Sequence, residues 1–344
     1  MVNPCKQGRL SIIAFYSAGM YSPLEPTGAT PRVVRTVTVI IPTFRRPHAF
    51  VRAVRSVFAQ RGFGLQLEIV AIDNDPAGSA LYLMHALECE APCRFVWAHE
   101  PAAGVATARN AGLSRAQGEL VAFLDDDQEA EPGWLAALTQ TQRETGADAV
   151  FGPIVPELAT SVRAFRAAIT RSYARANLSH ARDVGGALFV RSRMLASRAP
   201  FPSAADTVGG EADAILMAAR TSGARFVWSP TALVREHVDH ERAQIGPALR
   251  RSFAAGQRRT RALRSAGVGG WAIPTNMALF ALLIPVTLGA WLVGAPGREG
   301  LLARTARAAG AAAPWPLQHL YGAKALPTKP PRMRRRALAR VPAL

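Results

Sequence analysis

The sequence predicts a doubly wound α/β domain followed by an apolar helical segment. Three observations predict it. β-Branched runs and amphipathic helices alternate from Val37 to Glu144, with crossovers long enough for right-handed parallel units. The strands of that stretch end in Pro42-Thr43, in Asp73 and in Asp125-Asp126-Asp127, where doubly wound sheets bind their ligands. An uncharged apolar stretch then runs from Trp271 to Ala295.

The elements follow in order. VTVIIP at 37–42 is a β-branched run closed by proline and reads as a buried parallel strand. Pro47 suits a helix start, and Phe50, Val54, Val57 and Phe58 recur at helical spacing over 47–60. LEIVAID at 67–73 is the second strand, and its loop leads into a helix over about 79–88. RFVWAHE at 94–100 is the third strand, and Ala103 to Ala116 form a helix carrying Arg109 and Asn110. ELVAFLDDD at 119–127 is the fourth strand, followed by a helix over 132–144. Beyond it the pattern loosens. DAVFGPIVP (148–156) and GGALFVRSRML (185–195) read as strands. GGEADAILMAARTSG (209–223) reads as a helix stopped by Gly223, and 224–230 and 232–237 as short strands.

The segment Trp271–Ala295 is long enough, as a helix rising about 1.5 Å per residue, to cross a hydrocarbon core of about 30 Å. Trp271 and Trp291 sit near its ends as interfacial anchors do. Pro274, Asn276 and Pro285 leave a buried core helix, or a hairpin lying in the interface, as the alternatives to a full span. The formal net charge is +17, and the late arginine clusters (Arg250, Arg251, Arg258 and Arg259, then Arg332 to Arg336) flank this segment. That placement fits an anionic membrane surface better than a nucleic-acid groove. Cys5, Cys89 and Cys93 give no disulfide framework and no zinc spacing. Residues 1–34 read as a disordered leader and 326–344 as a basic tail, around a domain at 35–265 and an apolar helical region at 266–325.

Several activities are excluded by motif. No glycine-rich dinucleotide fingerprint follows the first strand, no phosphate-binding P-loop occurs, and no G-x-S-x-G elbow appears. What remains is acid chemistry at strand ends. Adjacent carboxylates repel one another, and Mg²⁺ or Mn²⁺ shared with substrate phosphates offsets that repulsion. The same acids would also serve a metal-dependent nucleotidyltransferase or phosphatase.

The segments VTVIIPTFRRP, LEIVAIDNDPAGS, EPAAGVATARNAGL and GELVAFLDDDQEAEPGWL resemble family-2 glycosyltransferases of the GT-A fold, a mixed sheet flanked by helices. GGALFVRSRM, GGEADAILMAARTSGARFVWSP and RRSFAAGQ continue the likeness, which is strongest to bacterial exopolysaccharide (succinoglycan-type) glucosyltransferases. The resemblance covers about residues 36–265. It implies a nucleotide-sugar donor, a UDP-sugar first among them, and a lipid-linked or polysaccharide acceptor. It also implies a divalent metal, inversion at the anomeric carbon, and work at the cytoplasmic face of the bacterial inner membrane without nucleic acid. By position, Pro42, Thr43 and Asp73 would hold the nucleoside, and Arg109 and Asn110 would form the donor edge. Asp125, Asp126 and Asp127 would form the acidic motif, with Asp127 on the metal. The family carries an aspartate base at the position that aligns with Ala212. Glu211 and Asp213 stand on either side, so one of these acids is the base or the chain is a donor-binding partner without turnover. One residue of offset turns a helix by about 100°.

Overall fold

The computed structural model of the chain describes residues 35–60, 65–162, 165–178, 183–195, 200–202, 211–265 and 270–313. The expected leader, the basic tail and the Gly209-Gly210 turn lie outside the described residues.

The first half follows the alternation read from sequence. Strands β1 (Arg35–Thr43), β2 (Leu65–Asp73), β3 (Arg94–His99) and β4 (Leu120–Phe123) alternate with helices α1 (Pro47–Phe58), α2 (Leu81–Glu90) and α3 (Val105–Arg115). The strands pair in parallel, with Thr43 beside Asp73 and Ile40 beside Phe123 in the register. Both faces of this sheet are covered. Val37, Val39 and Ile41 pack with Phe50, Val54 and Trp134 on one side, and Ile40, Val121 and Phe123 pack with Leu113 and Leu216 on the other. Side chains alternate across a strand, so the near-continuous apolar runs serve two cores at once.

After β4 the chain turns through the three aspartates into β5 (Gln128–Ala130), then α4 (Trp134–Thr145) and β6 (Ala149–Phe151). Next come β7 (Ile154–Leu158), α5 (Arg166–Tyr173), β8 (Ala187–Val190), the short α6 (Arg191–Met194), α7 (Glu211–Thr221), β9 (Phe226–Trp228) and β10 (Val234–Val238). The main sheet has seven strands in the order β3-β2-β1-β4-β8-β6-β9. β8 runs antiparallel between β4 and β6, which makes the sheet mixed. A second sheet has the order β5-β10-β7.

The single strand expected over 148–156 is two strands in different sheets. Pro153 breaks it, having no N–H to donate to a ladder, and its carbonyl instead accepts from Val234 N. The cysteines, read as giving no disulfide framework, divide in the structure: Cys89 is disulfide-bonded, and Cys93 is free.

Three long helices complete the described chain: α8 (Ile245–Ser265), α9 (Ala272–Leu292) and α10 (Arg298–Ala312). A small core of Leu158, Ile169, Tyr173, Val238 and Ala248 joins the second sheet to α5 and α8. α10 packs tightly on α8. A Cβ on Gly256 would lie 2.0 Å from the Arg307 carbonyl, and one on Gly310 would lie 1.9 Å from the Phe253 carbonyl, so both positions require glycine. α9 is the apolar helix read from sequence. Its 21 residues have mean hydropathy 1.7, and only 6% of its most apolar window is buried. A soluble core helix would be buried, whereas here Leu282, Leu288 and Leu292 are 64%, 61% and 87% exposed. Its anchorage is local: Thr287 and Thr305 hydroxyls bond at 2.8 Å, and the Trp291 ring packs on Phe165.

Candidate active site

Asp125, Asp126 and Asp127 form the bridge between the two sheets, because β4 ends just before them and β5 begins just after. The Gln128 N–H donates to the Asp125 carbonyl and closes the turn. A cleft of about 670 Å³ opens over this bridge. Pro42, Thr43, Arg109 and all three aspartates line it, so the structure brings these six sequence-derived residues together.

Each acid has a different set of neighbours. Asp126 accepts from the Thr43 hydroxyl at 3.0 Å, the Phe44 N–H at 3.2 Å and Arg46 at 3.2 Å. It thereby ties the end of β1 to the end of β4. Asp125 accepts from Arg109 at 3.0 Å, and Arg109 also reaches Asp183 at 3.2 Å. The Arg109 side chain is only 3% exposed and stacks over the Phe201 ring. Asp127 accepts from Arg46 at 2.8 Å and from Arg242. A Cβ on Gly185 would come within 2.5 Å of the Asp125 carboxylate, so glycine there lets the chain entering β8 approach the acids.

Two expected donor residues are placed elsewhere. Asp73 is fully buried at the end of β2 and does not line the cleft. Its carboxylate accepts from the N–H groups of Asp75 at 3.0 Å and Ala80 at 2.7 Å, shaping the turn into α2. Asn110 likewise points to the backbone, donating to the Phe201 carbonyl at 2.7 Å and accepting from its N–H at 3.1 Å. Glu211 and Asp213 lie in the first turn of α7, and their side chains lie outside the described residues. Ala212 between them is 4% exposed and packs in the apolar core with Leu216.

The cleft also holds residues that sequence reasoning missed. Asn74 donates to the Glu100 and Ala102 carbonyls and accepts from Gly104 N, all at 2.8 Å, which fixes the entry to α3. Asp183, Glu236, Arg175 and Arg242 complete the wall. Asp183 carried a signal, since it stands just before Gly185-Gly186 at a strand start. Glu236 and Arg242 carried none, because only the second sheet brings them to the aspartates.

The electrostatics are those of crowded acids. Burial, with the charges of Asp183 and Asp127, pushes the Asp125 carboxyl up to about 7 against the pull of Arg109. Burial and Asp127 also push Asp126 up. Burial raises Glu236 to about 7 despite Arg251 and Arg242. Burial works in the same sense at Asp183, but Arg109, Arg251 and Arg175 outweigh it and hold that carboxyl low. Carboxylates raised in this way are relieved by a cation. Among the described residues no three His, Cys, Asp or Glu side chains form a metal cage. Asp125 and Asp127 are the carboxylates that would hold a divalent cation together with substrate phosphates.

Comparison with known proteins places this architecture. Residues 38–198 match the family described as Glycosyl transferase family 2. Succinoglycan biosynthesis protein ExoM of Rhizobium meliloti (strain 1021) is 30% identical over 227 residues, covering 64% of this chain and 73% of that protein. The chain belongs to glycosyl transferase family 2. This family-2 chain is also 32% identical over 116 residues to the GalNAc(5)-diNAcBac-PP-undecaprenol beta-1,3-glucosyltransferase of Campylobacter jejuni, covering 34% of the chain and 37% of that protein. Among solved structures, the mannosyltransferase PcManGT of Pyrobaculum calidifontis, in complex with GDP-Man and Mn²⁺, superposes with a TM-score of 0.55. It is 19% identical, and the match covers 80% of the family-2 chain and 85% of PcManGT. That likeness bears on fold: the seven-stranded mixed sheet with flanking helices is a GT-A fold.

Proposed function

We infer that the protein is a metal-dependent, inverting glycosyltransferase. It moves a sugar from a nucleotide-sugar, a UDP-sugar first among candidates, to a lipid-linked or polysaccharide acceptor. The observation that carries this is the convergence of Asp125 and Asp127 with Thr43 and Arg109 in one cleft at the junction of two sheets. At about 670 Å³ the cleft falls within the roughly 300–1,000 Å³ range of small-molecule sites. The names of the relatives support the reading: one is a succinoglycan biosynthesis protein and another a glucosyltransferase. The Mn²⁺ and GDP-Man in PcManGT support metal and donor use of the same kind.

The side chains divide the work. Thr43, Phe44 and Arg46 fix Asp126, which holds the β1 and β4 ends in register and leaves its neighbours to face the cleft. Arg109 orients Asp125. Asp127, with Asp125, would hold Mg²⁺ or Mn²⁺, which neutralises charge on the departing nucleoside diphosphate when bound. The acceptor hydroxyl attacks on the face opposite that leaving group, and its proton passes to a carboxylate at the start of α7. We assign that role to Glu211, with Asp213 as the alternative. We place the protein at the cytoplasmic face of the inner membrane, within reach of a lipid-borne acceptor, and the exposed apolar α9 supports the membrane contact.

Calorimetric titration of UDP- and GDP-sugars, with and without Mn²⁺, tests the donor assignment. The expected result is binding that requires Mn²⁺ and disappears in Asp127→Ala. Equal donor affinity in Asp127→Ala and the parent protein would overturn it.

A further inference from the structure

The cleft is lined by acids and also by arginines, which reach it from α8 and α10. Arg251, Ala255 and Arg258 line the cleft from α8 at positions i, i+4 and i+7, so they form one stripe along one face of that helix. The stripe is about 10 Å long at 1.5 Å per residue. Its near end belongs to the acids, since Arg251 acts on Asp183 and Glu236. Its far end meets Arg307, which lines the cleft from α10. Among the described residues the buried Nε of Arg307 has no hydrogen-bond partner. Burial lowers the Arg307 pKa, and Arg259, Arg258 and Arg304 lower it further. Among the described residues no carboxylate offsets them. Gly256 and Gly310 hold the two helices too close for this group of cations to spread apart.

We propose that Arg258 and Arg307 form a second phosphate-binding subsite, separate from the donor diphosphate and built for a phosphate or diphosphate group on the acceptor. Arg258 lies seven residues, about 10 Å along α8, beyond Arg251, the arginine that acts on Asp183 and Glu236. The unpaired guanidinium edge follows from chemistry, because an anion of phosphate geometry supplies the acceptor oxygens it lacks. The position of α10 gives the far side. Its other contacts are to α9, joined by the Thr287–Thr305 bond, so a ligand anchored by phosphate at Arg307 has the exposed apolar helix beside it for a lipid tail. The subsite rests on the transferase reading only for the word acceptor.

The test uses the full chain saturated with UDP and Mn²⁺, titrated with inorganic pyrophosphate, farnesyl diphosphate and farnesol. Both diphosphates bind, and Arg307→Gln and Arg258→Gln each weaken them about tenfold. UDP affinity stays within twofold in both variants. Thermal unfolding midpoints of both variants that match the parent chain control for folding of α10. Farnesyl diphosphate binding more tightly than pyrophosphate assigns the site to a lipid-borne group, and equal affinities assign it to a free anion. Unchanged pyrophosphate affinity in both variants overturns the proposal. So does a matching loss of UDP affinity, which would make the arginines part of the donor site. Failure of the parent chain to bind UDP, with pyrophosphate binding intact, would count against the transferase reading and leave the subsite standing.

Discussion

Replacing Arg109 with methionine removes the cation at the centre of the site while keeping most of its apolar stem. Its side chain is 3% exposed and holds Asp125 at 3.0 Å and Asp183 at 3.2 Å. Breaking a buried ion pair costs about 3–5 kcal/mol when the surviving charge stays buried. Two features reduce that here. Asp183 is 48% exposed, so its charge regains water and screening discounts its share. Asp125 already titrates at about 7, so it neutralises readily once the guanidinium is gone. The working value is about 3 kcal/mol at pH 8 and about 1–2 kcal/mol at pH 6. The sign follows from linkage. The folded pKa of Asp125 lies above the ordinary carboxylate value of 3.8, so the stability its protonated form contributes is complete below that value. It is lost as pH rises through the folded pKa. Removing Arg109 raises that folded pKa further, so the decline extends above pH 7 and steepens. Urea denaturation followed by circular dichroism at pH 6 and 8 measures it, with Asp125→Asn and the double variant closing a cycle. A loss below about 1 kcal/mol at pH 8, or equal losses at both pH values with no coupling to Asp125, would refute the reasoning.

Three further outcomes are expected. Ala212→Asp places a carboxylate in the apolar core beside Leu216 and lowers stability by about 2–4 kcal/mol by urea titration; an unchanged midpoint would show that position 212 faces the cleft. Asp73→Ala strands the buried N–H groups of Asp75 and Ala80 and costs about 2–3 kcal/mol on the same assay, whereas a stable variant with weakened UDP binding would restore a direct nucleoside role. In flotation with vesicles of phosphatidylcholine and phosphatidylglycerol, the full chain rises with the lipid; Leu282→Glu with Leu288→Glu reduces partition on the order of a hundredfold, and equal flotation of the variant would count against α9 as the membrane contact.

The alternation from β1 to α4 was legible because each element there is a local pattern with its own punctuation. The acidic side of the cleft followed from it, since parallel strands deliver Pro42-Thr43 and Asp125 to Asp127 to the same edge. The second sheet was not legible. β5 has three residues, β7 hides behind Pro153, and β10 shows its partners only through pairing across 80 residues of chain to β7 and more than a hundred to β5. Glu236 and Arg242 were lost with it. The arginines of α8 were legible as charge but not as position. Read as membrane flanks, Arg251 and Arg258 line the cleft instead, because α8 packs on α5 and the second sheet before the apolar helix begins. Asp73 and Asn110 show the converse. Their chemistry suits ligand binding, yet nearby backbone N–H and C=O groups take up their polar atoms. A sequence pattern does not distinguish a carboxylate that caps a turn from one that faces a ligand.

We propose that the acids at the sheet junction drive metal-dependent sugar transfer, and release of the nucleotide product reads that reaction out. With UDP- and GDP-sugars and a membrane extract as acceptor source, the expected nucleoside diphosphate release needs Mg²⁺ or Mn²⁺, stops with a chelator and is absent in Asp127→Ala. Release of pyrophosphate in place of the nucleoside diphosphate, or full release in the presence of chelator, would contradict it.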